Sequence, residues 1–294
     1  MYIITGATGN TGKAIAEALL AKGKKVRVIG RSADRLKTLA DKGAEPFIGD
    51  VQDAAAMTRA FTGAKAVYTL IPPDYSAQNM RAYQNRVSEA FTHAIGAARV
   101  PFVVNMSSVG ANLSEKVGPV NGLHDHEERL NKLKDVHVLN LRPTYFMENL
   151  LWNIETIKKM GILGTPLKGD LPMTMIATRD IAAEAAERLL KLDFSGKSTK
   201  ELLGERDLTL TEVTRIIGKA IGKPDLSYVQ FPYDDAEKAM TGMGLSADTA
   251  RNFIEMNRSL NERIMRPMEK RSASNTTPTS IEQFAQTFAA IYKG

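Results

Sequence analysis

The 294-residue chain contains no cysteine. Disulfides, thiolate metal centres and a cysteine nucleophile are therefore excluded. No apolar run approaches the ~20 residues that a membrane-spanning helix needs. The first residues carry no basic segment, apolar core or cleavage site of a secretory leader, so the expected location is the cytoplasm, with no membrane partner. Charge of one sign is also scarce. The chain has 39 Lys and Arg against 33 Asp and Glu, a net charge of +6, and no basic block is interleaved with aromatics. That reads as a solvated basic surface, or as a cleft that attracts phosphorylated cofactors, and nucleic acid is not expected as a partner. No internal repeat is visible. Apolar residues make up 43% and charged residues 24%, the balance of a globular protein of one large domain or one and a half.

What is present is concentrated in the first dozen residues. Tyr2-Ile-Ile-Thr5 is an apolar, β-branched run that predicts a buried parallel strand. Gly6-Ala-Thr-Gly9-Asn-Thr-Gly12 follows at once, and Lys13 to Lys22 predicts a helix stopped by Gly23. A helix N-terminus after a strand offers unpaired N–H groups and the positive end of a dipole to an anion. Gly6 permits the tight turn, Gly9 lets the backbone approach a pyrophosphate, and Gly12 lets the helix pack closely. With Thr8, Asn10 and Thr11 they form the expected cofactor cradle. The spacing is G-x-x-G-x-x-G rather than G-x-G-x-x-G.

The same rhythm continues. Strands are predicted at 25–29, 44–48, 64–71, 102–106 and 136–141. Helices are predicted from Arg31 past Leu39, at 53–61, at 76–98 and at 124–133. This alternation implies an α/β fold, a Rossmann-like doubly wound parallel sheet. After residue 145 it breaks down. Residues 146–160 and 181–190 read as helices, 161–175 is rich in glycine and proline, and a short strand lies near 201–203. A helix at 211–221, an extended 226–231 and three further helices complete the chain. Arg271–Thr279 reads as a mobile surface loop, and Ile281, Phe284, Phe288 and Ile291 form the stripe of a last helix. The expected division is a cofactor-binding domain at 1–150 and a smaller, mostly helical lobe at 151–294, with some segments returning to the sheet.

The carboxyl ends of the strands supply the candidate site residues. Arg31, after the second strand, stands where proteins that prefer NAD carry an acid, and Arg35 follows one helical turn on. Arginine pairs bidentately with phosphate. NADP(H) is therefore the expected cofactor, with NAD(H) as the second candidate. Asp34 is a competing acid, better read as a first-turn helix residue. Asp50 and Val51 are placed to hold an adenine, or simply to form a capped turn. Leu70, Ile71 and Pro72 should line the path of the second ribose, with backbone carbonyls facing the cleft. Ser107 could hydrogen-bond a substrate or the carboxamide, or belong to a serine-rich turn.

These residues, together with Arg142-Pro-Thr-Tyr-Phe-Met-Glu-Asn149 and Thr279-Ser-Ile-Glu-Gln-Phe284, resemble the NmrA-like branch of the atypical short-chain dehydrogenase/reductase superfamily. The match runs nearly end to end. The resemblance implies a Rossmann domain with a small C-terminal lobe, NADP(H) binding, and Pro143 and Tyr145 as further cofactor contacts. Members include quinone, azo-dye and triphenylmethane-dye reductases, and also NADP-sensing regulators without demonstrated turnover.

The superfamily's usual acid is a tyrosine in Y-x-x-x-K, and the corresponding helix, starting Leu123-His124-Asp-His-Glu-Glu128, has neither residue at that spacing. His124 and Glu128 share a helix face as i and i+4. That pair predicts either a proton donor with its orienting carboxylate or a solvated helix start. His124, His126 and Glu127 point apart, so no metal site is expected. Without the dyad an alkoxide lacks its proton source, whereas an electron-poor acceptor needs little acid help. The reading that follows is an NADPH-dependent reductase of a quinone-like small molecule. A redox sensor with a protein partner, and an isomerase or lyase using the cofactor structurally, are the alternatives. A monomer or a homodimer is expected.

Overall fold

In the computed structural model, which describes residues 1–294, the first strand is β1 (Tyr2–Ile4), buried along its whole length. Its side chains alternate. Tyr2 and Ile4 enter one helical layer and Ile3 enters the other, as a strand covered on both faces requires. The chain then passes through α1 (Asn10–Ala21), β2 (Val26–Gly30), α2 (Ala33–Ala40), β3 (Glu45–Ile48), α3 (Ala54–Phe61) and β4 (Ala66–Thr69). It continues through α4 (Met80–Ala97), β5 (Phe102–Met106), α5 (Val120–Asn131) and β6 (His137–Pro143).

The second half opens with β7 (Tyr145–Phe146), a 3-10 helix (Met147–Asn153), α6 (Ile154–Met160), β8 (Ile162–Thr165) and β9 (Met173–Ile176). There follow α7 (Thr178–Lys191), β10 (Lys197–Leu202), β11 (Asp207–Leu208), α8 (Leu210–Ala220) and β12 (Ser227–Gln230). Three helices end the chain: α9 (Tyr233–Gly242), α10 (Ala247–Asn261) and α11 (Ile281–Lys293).

Seven strands form one parallel sheet in the order β3-β2-β1-β4-β5-β6-β10. Helices α1, α2 and α7 pack on one face, and α3, α4 and α5 on the other. The strand order reverses between β1 and β4, which opens the crevice where ligands bind in doubly wound sheets. Residues 178–202 return to this sheet, because α7 lies on α1 and β10 extends the sheet beside β6. The remaining segments build a second core around Leu163, Met175, Leu210, Ile217, Phe284 and Phe288. Burying each such side chain contributes about 1.5–3 kcal/mol.

Several boundaries differ from the sequence reading for local reasons. The helix expected from Ser76 starts at Met80, because Asn79 caps it by accepting the Ala82 N–H. The stretch 146–160 is a 3-10 helix before it is an α-helix. Ile291 does not continue the α11 stripe and is 48% exposed. The largest correction concerns Arg271–Thr279, expected to be mobile. Asn275, Thr277 and Thr279 are buried there. The Leu203 N–H donates to Asn275 O and the Thr277 N–H to Leu203 O. Asp180 accepts from the Thr279 N–H at 2.9 Å and from its hydroxyl at 2.6 Å. A polar composition suggested solvent, but its partners are groups at the start of α7 and just after β10.

Helix α5 buries a titratable ring against α4. His126 is fully buried, its Nδ1 lies 2.8 Å from Ser88 Oγ and its Nε2 has no partner. Burial, and then the Arg129 charge, push its pKa from 6.5 down to about 3. The unfolded chain takes up this proton near 6.5, whereas the folded ring stays neutral down to about 3. Stability should therefore fall as pH drops from 6.5, by up to about 1.4 kcal/mol per pH unit from this group. Urea unfolding at pH 7, 6 and 5 should show a steeper loss for the native protein than for His126→Gln, and parallel profiles would overturn the assignment.

Candidate functional site

The site begins in the turn between β1 and α1. Gly6 has φ of +60°, and a Cβ on it would lie 2.8 Å from Leu70 Cδ2. A Cβ on Gly12 would lie 2.3 Å from the Gly6 carbonyl oxygen. Both glycines are thus demanded by the protein's own packing. Gly9 is different: a Cβ there would meet only Gly6 O, at an ordinary 3.4 Å. Gly9 is exposed and begins α1, and no side chain caps that helix. The first-turn N–H groups are therefore left without a side-chain partner, the arrangement that anion-binding helix starts use. Thr8 and Asn10 are exposed beside them. Thr11 is not available as a side-chain ligand, because it is buried and its hydroxyl accepts from Tyr68 OH at 3.1 Å.

At the end of β2, Arg31 and Arg35 are exposed and make no ion pair, and Ser32 caps α2. Asp50 is exposed, with one carboxylate oxygen accepting the Gln52 N–H at 2.9 Å, so it does cap its turn, and Val51 is buried beneath. Beyond β4 the expected row of free carbonyls is not found. The Thr5 hydroxyl sits between Tyr68 O and Leu70 O, and the Leu70 N–H donates back to Thr5 Oγ1 at 2.7 Å. Pro72 O accepts from Tyr83 OH at 3.0 Å. Burial, and then the nearby Asp74 charge, push the Tyr83 pKa up to about 12 and keep that donor protonated. Ile71 is buried in the core with Tyr83, and half-buried Leu70 packs over Gly6. At the end of β6, Pro143 O accepts the Val109 N–H at 3.0 Å.

The polar centre lies where β5 and β6 end, and it differs from the sequence expectation. Ser107 is buried and donates its hydroxyl proton to Glu127. Glu127, buried on α5, also receives Arg142 Nε at 2.9 Å and Nη2 at 2.5 Å. Such a bidentate, charge-assisted pair is geometrically specific. Ser107 can still accept a hydrogen bond from a ligand but has no proton to give one. His124 and Glu128 do not form the expected couple. Glu128 points to solvent, and His124 Nδ1 lies 2.8 Å from Ala111 O, which requires a proton on that nitrogen. In the neutral tautomer so selected, Nε2 accepts rather than donates. No group of His, Asp and Glu is arranged to hold a metal.

The second lobe roofs the crevice through α10. Ser246 Oγ donates to Ala77 O at 2.6 Å, Asp248 accepts the Met80 N–H at 2.8 Å, and Glu255 accepts the Gly118 N–H at 3.0 Å. Tyr75, Trp152 and Phe253 form an aromatic cluster at the surface, with ring centroids 5.8 Å and 6.1 Å from Tyr75. Beyond the ends of β5, β6 and β10 lies a cavity of about 310 Å³, with Val109, Tyr145, Leu203, Leu260 and Met265 in its wall. Burial raises the Tyr145 pKa well above its ordinary 10.

A model of the NmrA-like family matches residues 2–285. The chain belongs to the NmrA-like family. It is similar to YesF of Bacillus subtilis strain 168, an uncharacterized oxidoreductase, with 29% identity over 99% of this chain and 96% of that one. Among the solved structures that share its fold are two reductases. One is the NADPH-dependent quinone oxidoreductase QOR2 of Escherichia coli complexed with NADPH, with a TM-score of 0.75 and 22% identity over 98% of this chain and 99% of that one. The other is Citrobacter sp. triphenylmethane reductase complexed with NADP(H), with a TM-score of 0.79 and 19% identity over 98% and 100%.

In this NmrA-like chain the sequence reading missed Glu127 and Arg142 as a pair, and it missed Glu201. A signal for Glu127 existed. It stands four residues after Leu123 and three before Leu130, on the apolar stripe of α5, where an acid is buried only with a partner. Arg142 likewise follows Leu141 near the end of a strand that is buried from Val138 to Leu141.

The contrast between the glycines is testable without any ligand. Gly9→Val should fold with a native circular dichroism spectrum and a melting temperature within a few degrees of the native protein. Gly12→Val should be strongly destabilised or insoluble, because its side chain overlaps the Gly6 backbone. Equal stability of the two variants would show that the turn is not packed as described.

Proposed function

We propose that this NmrA-like protein is an NAD(P)H-dependent oxidoreductase that prefers NADPH and passes hydride to a quinone-like or otherwise conjugated acceptor. The observation that carries the reading is the uncapped, glycine-floored N-terminus of α1, with two unpaired arginines at the end of the neighbouring β2. The donor set fits a dinucleotide. The open space over Gly9 and the first-turn N–H groups would take the pyrophosphate. Arg31, with Arg35 beside it, would take a 2′-phosphate, and Asp50 and Val51 would flank the adenine. Leu70 and Ile71 would line the path of the second ribose. Ser107, as an acceptor, would orient the carboxamide N–H, with Pro143 and Tyr145 bordering the same end. The likeness to the quinone oxidoreductase QOR2, the triphenylmethane reductase and the oxidoreductase YesF supports this reading.

When bound, the cofactor supplies a hydride, that is two electrons and one proton, and a quinone completes its reduction with one further proton from solvent. The residues explain why such an acceptor is favoured. The Ser107 proton is committed to Glu127 and the His124 Nδ1 proton to Ala111 O, so neither is poised to protonate an alkoxide. A quinone's charge is delocalised and water can protonate it later, whereas a ketone forgoes the ~10²–10⁴-fold that general-acid help contributes. The same commitment of protons favours, as a second reading, a sensor that binds NADP(H) without turnover.

NADPH oxidation followed with a panel of quinones, aldehydes and ketones tests the acceptor. Quinones should be reduced at least about 10²-fold faster than simple ketones. Comparable ketone turnover would overturn the acceptor assignment, and tight NADPH binding with no turnover of any acceptor would select the sensor. Calorimetry tests the cofactor. Arg31→Asp should weaken NADPH binding by roughly 1.5–3 kcal/mol and leave NADH binding nearly unchanged. Equal affinity of the native protein for the two would refute the preference.

A further inference from the structure

The cavity beyond β5, β6 and β10 has an apolar floor and a basic rim. Val109, Leu203, Leu260 and Met265 line its interior, while Arg263, Arg266 and Lys270 border it from the segment after α10. None of these three cations makes an ion pair or a side-chain hydrogen bond, and all three are exposed. The other charges at the rim are Arg271, Asp207 and Glu269. Arg271 pairs with Asp207 and also donates to Gly204 O, so that couple is neutral. Glu269 accepts from Asn275 Nδ2 at 3.1 Å. Three unpaired cations therefore face one carboxylate.

This rim is built rather than loose. Buried Glu201, at the end of β10, accepts the Met268 N–H at 2.9 Å and the Glu269 N–H at 2.8 Å. Arg263 sits at φ of +57°, a left-handed conformation that few side chains adopt. The Met265 N–H donates to Ser259 O at 3.2 Å, closing the turn. The basic side chains thus stand on a backbone clamped to the main sheet. The cavity wall includes no residue of the glycine turn and neither Arg31 nor Arg35, and it meets the site assigned to the cofactor at Tyr145, so these cations lie apart from the residues assigned to the cofactor's phosphates.

We infer that the acceptor carries an anionic group, such as a carboxylate, sulfonate or phosphate, seated against Arg263, Arg266 and Lys270 while its conjugated body lies on the apolar floor. This rests on the reductase reading and adds the charge class of the substrate. Cations around a low-dielectric cavity attract anions and repel cations. A neutral quinone would use only the floor, and a cationic dye would be disfavoured by the rim.

The experiment compares 1,2-naphthoquinone-4-sulfonate, its uncharged parent 1,2-naphthoquinone and a cationic triarylmethane dye as acceptors with NADPH. It is paired with calorimetry of the non-reducible naphthalene-2-sulfonate on the NADP+-loaded protein. The sulfonated quinone should show the highest kcat/KM, and its advantage over the parent should shrink at high salt. Arg266→Gln combined with Lys270→Gln should cut that advantage about tenfold and weaken naphthalene-2-sulfonate binding similarly, with NADP+ affinity held. Equal kcat/KM for the sulfonated and parent quinones would overturn the inference while leaving the reductase reading intact. Lost NADP+ affinity in the double variant would assign the cations to the cofactor and overturn it too. If no acceptor turns over, the reductase reading fails alone, and naphthalene-2-sulfonate binding that depends on Arg266 and Lys270 still upholds an anion site there. Absent or variant-insensitive binding refutes it.

Discussion

The molecule depends on one close approach, that of α1 to the end of β1. Gly12 lies so near the Gly6 carbonyl that a single carbon added there would sit 2.3 Å from its oxygen. This contact fixes the direction in which α1 leaves the sheet. It also fixes where α7 can pack, since both helices share the core that holds Ile15, Leu19, Ile181 and Leu189. The first-turn N–H groups of α1 are aimed into the crevice beside β4 by the same contact. Core packing and the free N–H groups at the start of α1 are thus consequences of one backbone geometry, in which Gly6 and Gly12 are demanded by contacts within the protein and Gly9 has open space over it.

A second theme is the use of carboxylates as clips, three of them buried and Glu148 half-buried. Glu127 ties α5 to β5 and β6 through Ser107 and Arg142. Glu148 accepts both the Thr178 N–H and the Thr178 hydroxyl at the start of α7. Asp180 receives Thr279 before α11, and Glu201 receives the backbone of 268–269. A hydrogen bond to a charged group contributes about 1.5–3 kcal/mol, and an unpartnered buried charge costs more than that. Each clip therefore has all-or-none character. Three of the four join segments of the second half to the main sheet or to one another, and they hold a lobe whose own strands are only two to four residues long.

The distinction between what was legible in the sequence and what was not follows from the range of the interactions. The glycine turn, the strand and helix alternation and the uncapped start of α1 are local, and each could be read from adjacent residues. The partners of Glu127 and Glu201 lie up to 20 and 68 residues away, so their identity depends on topology. The reading of His124 with Glu128 failed for a related reason. Helical spacing placed them on one face, but the loop carrying Ala111, which closes over that face, supplied a nearer partner. Arg271–Thr279 misled because polarity is a statement about composition, whereas mobility depends on whether the polar groups find partners inside.

The two basic surfaces of the crevice divide the work in the proposed reaction. Arg31 and Arg35 sit beyond β2 on one side of the strand-order reversal, and Arg263, Arg266 and Lys270 sit beyond β10 on the other. Between them the charges of Glu127 and Arg142 cancel, and the hydroxyl proton of Ser107 and the Nδ1 proton of His124 are already engaged. A centre of that kind binds by acceptance and shape and is ill suited to deliver protons. The proposed hydride transfer to a delocalised acceptor is compatible with it, because in that reaction the electrons would move within the crevice and the remaining proton would arrive from water. Charge at the two ends would then set which molecules meet, and the uncharged middle would set which chemistry they undergo.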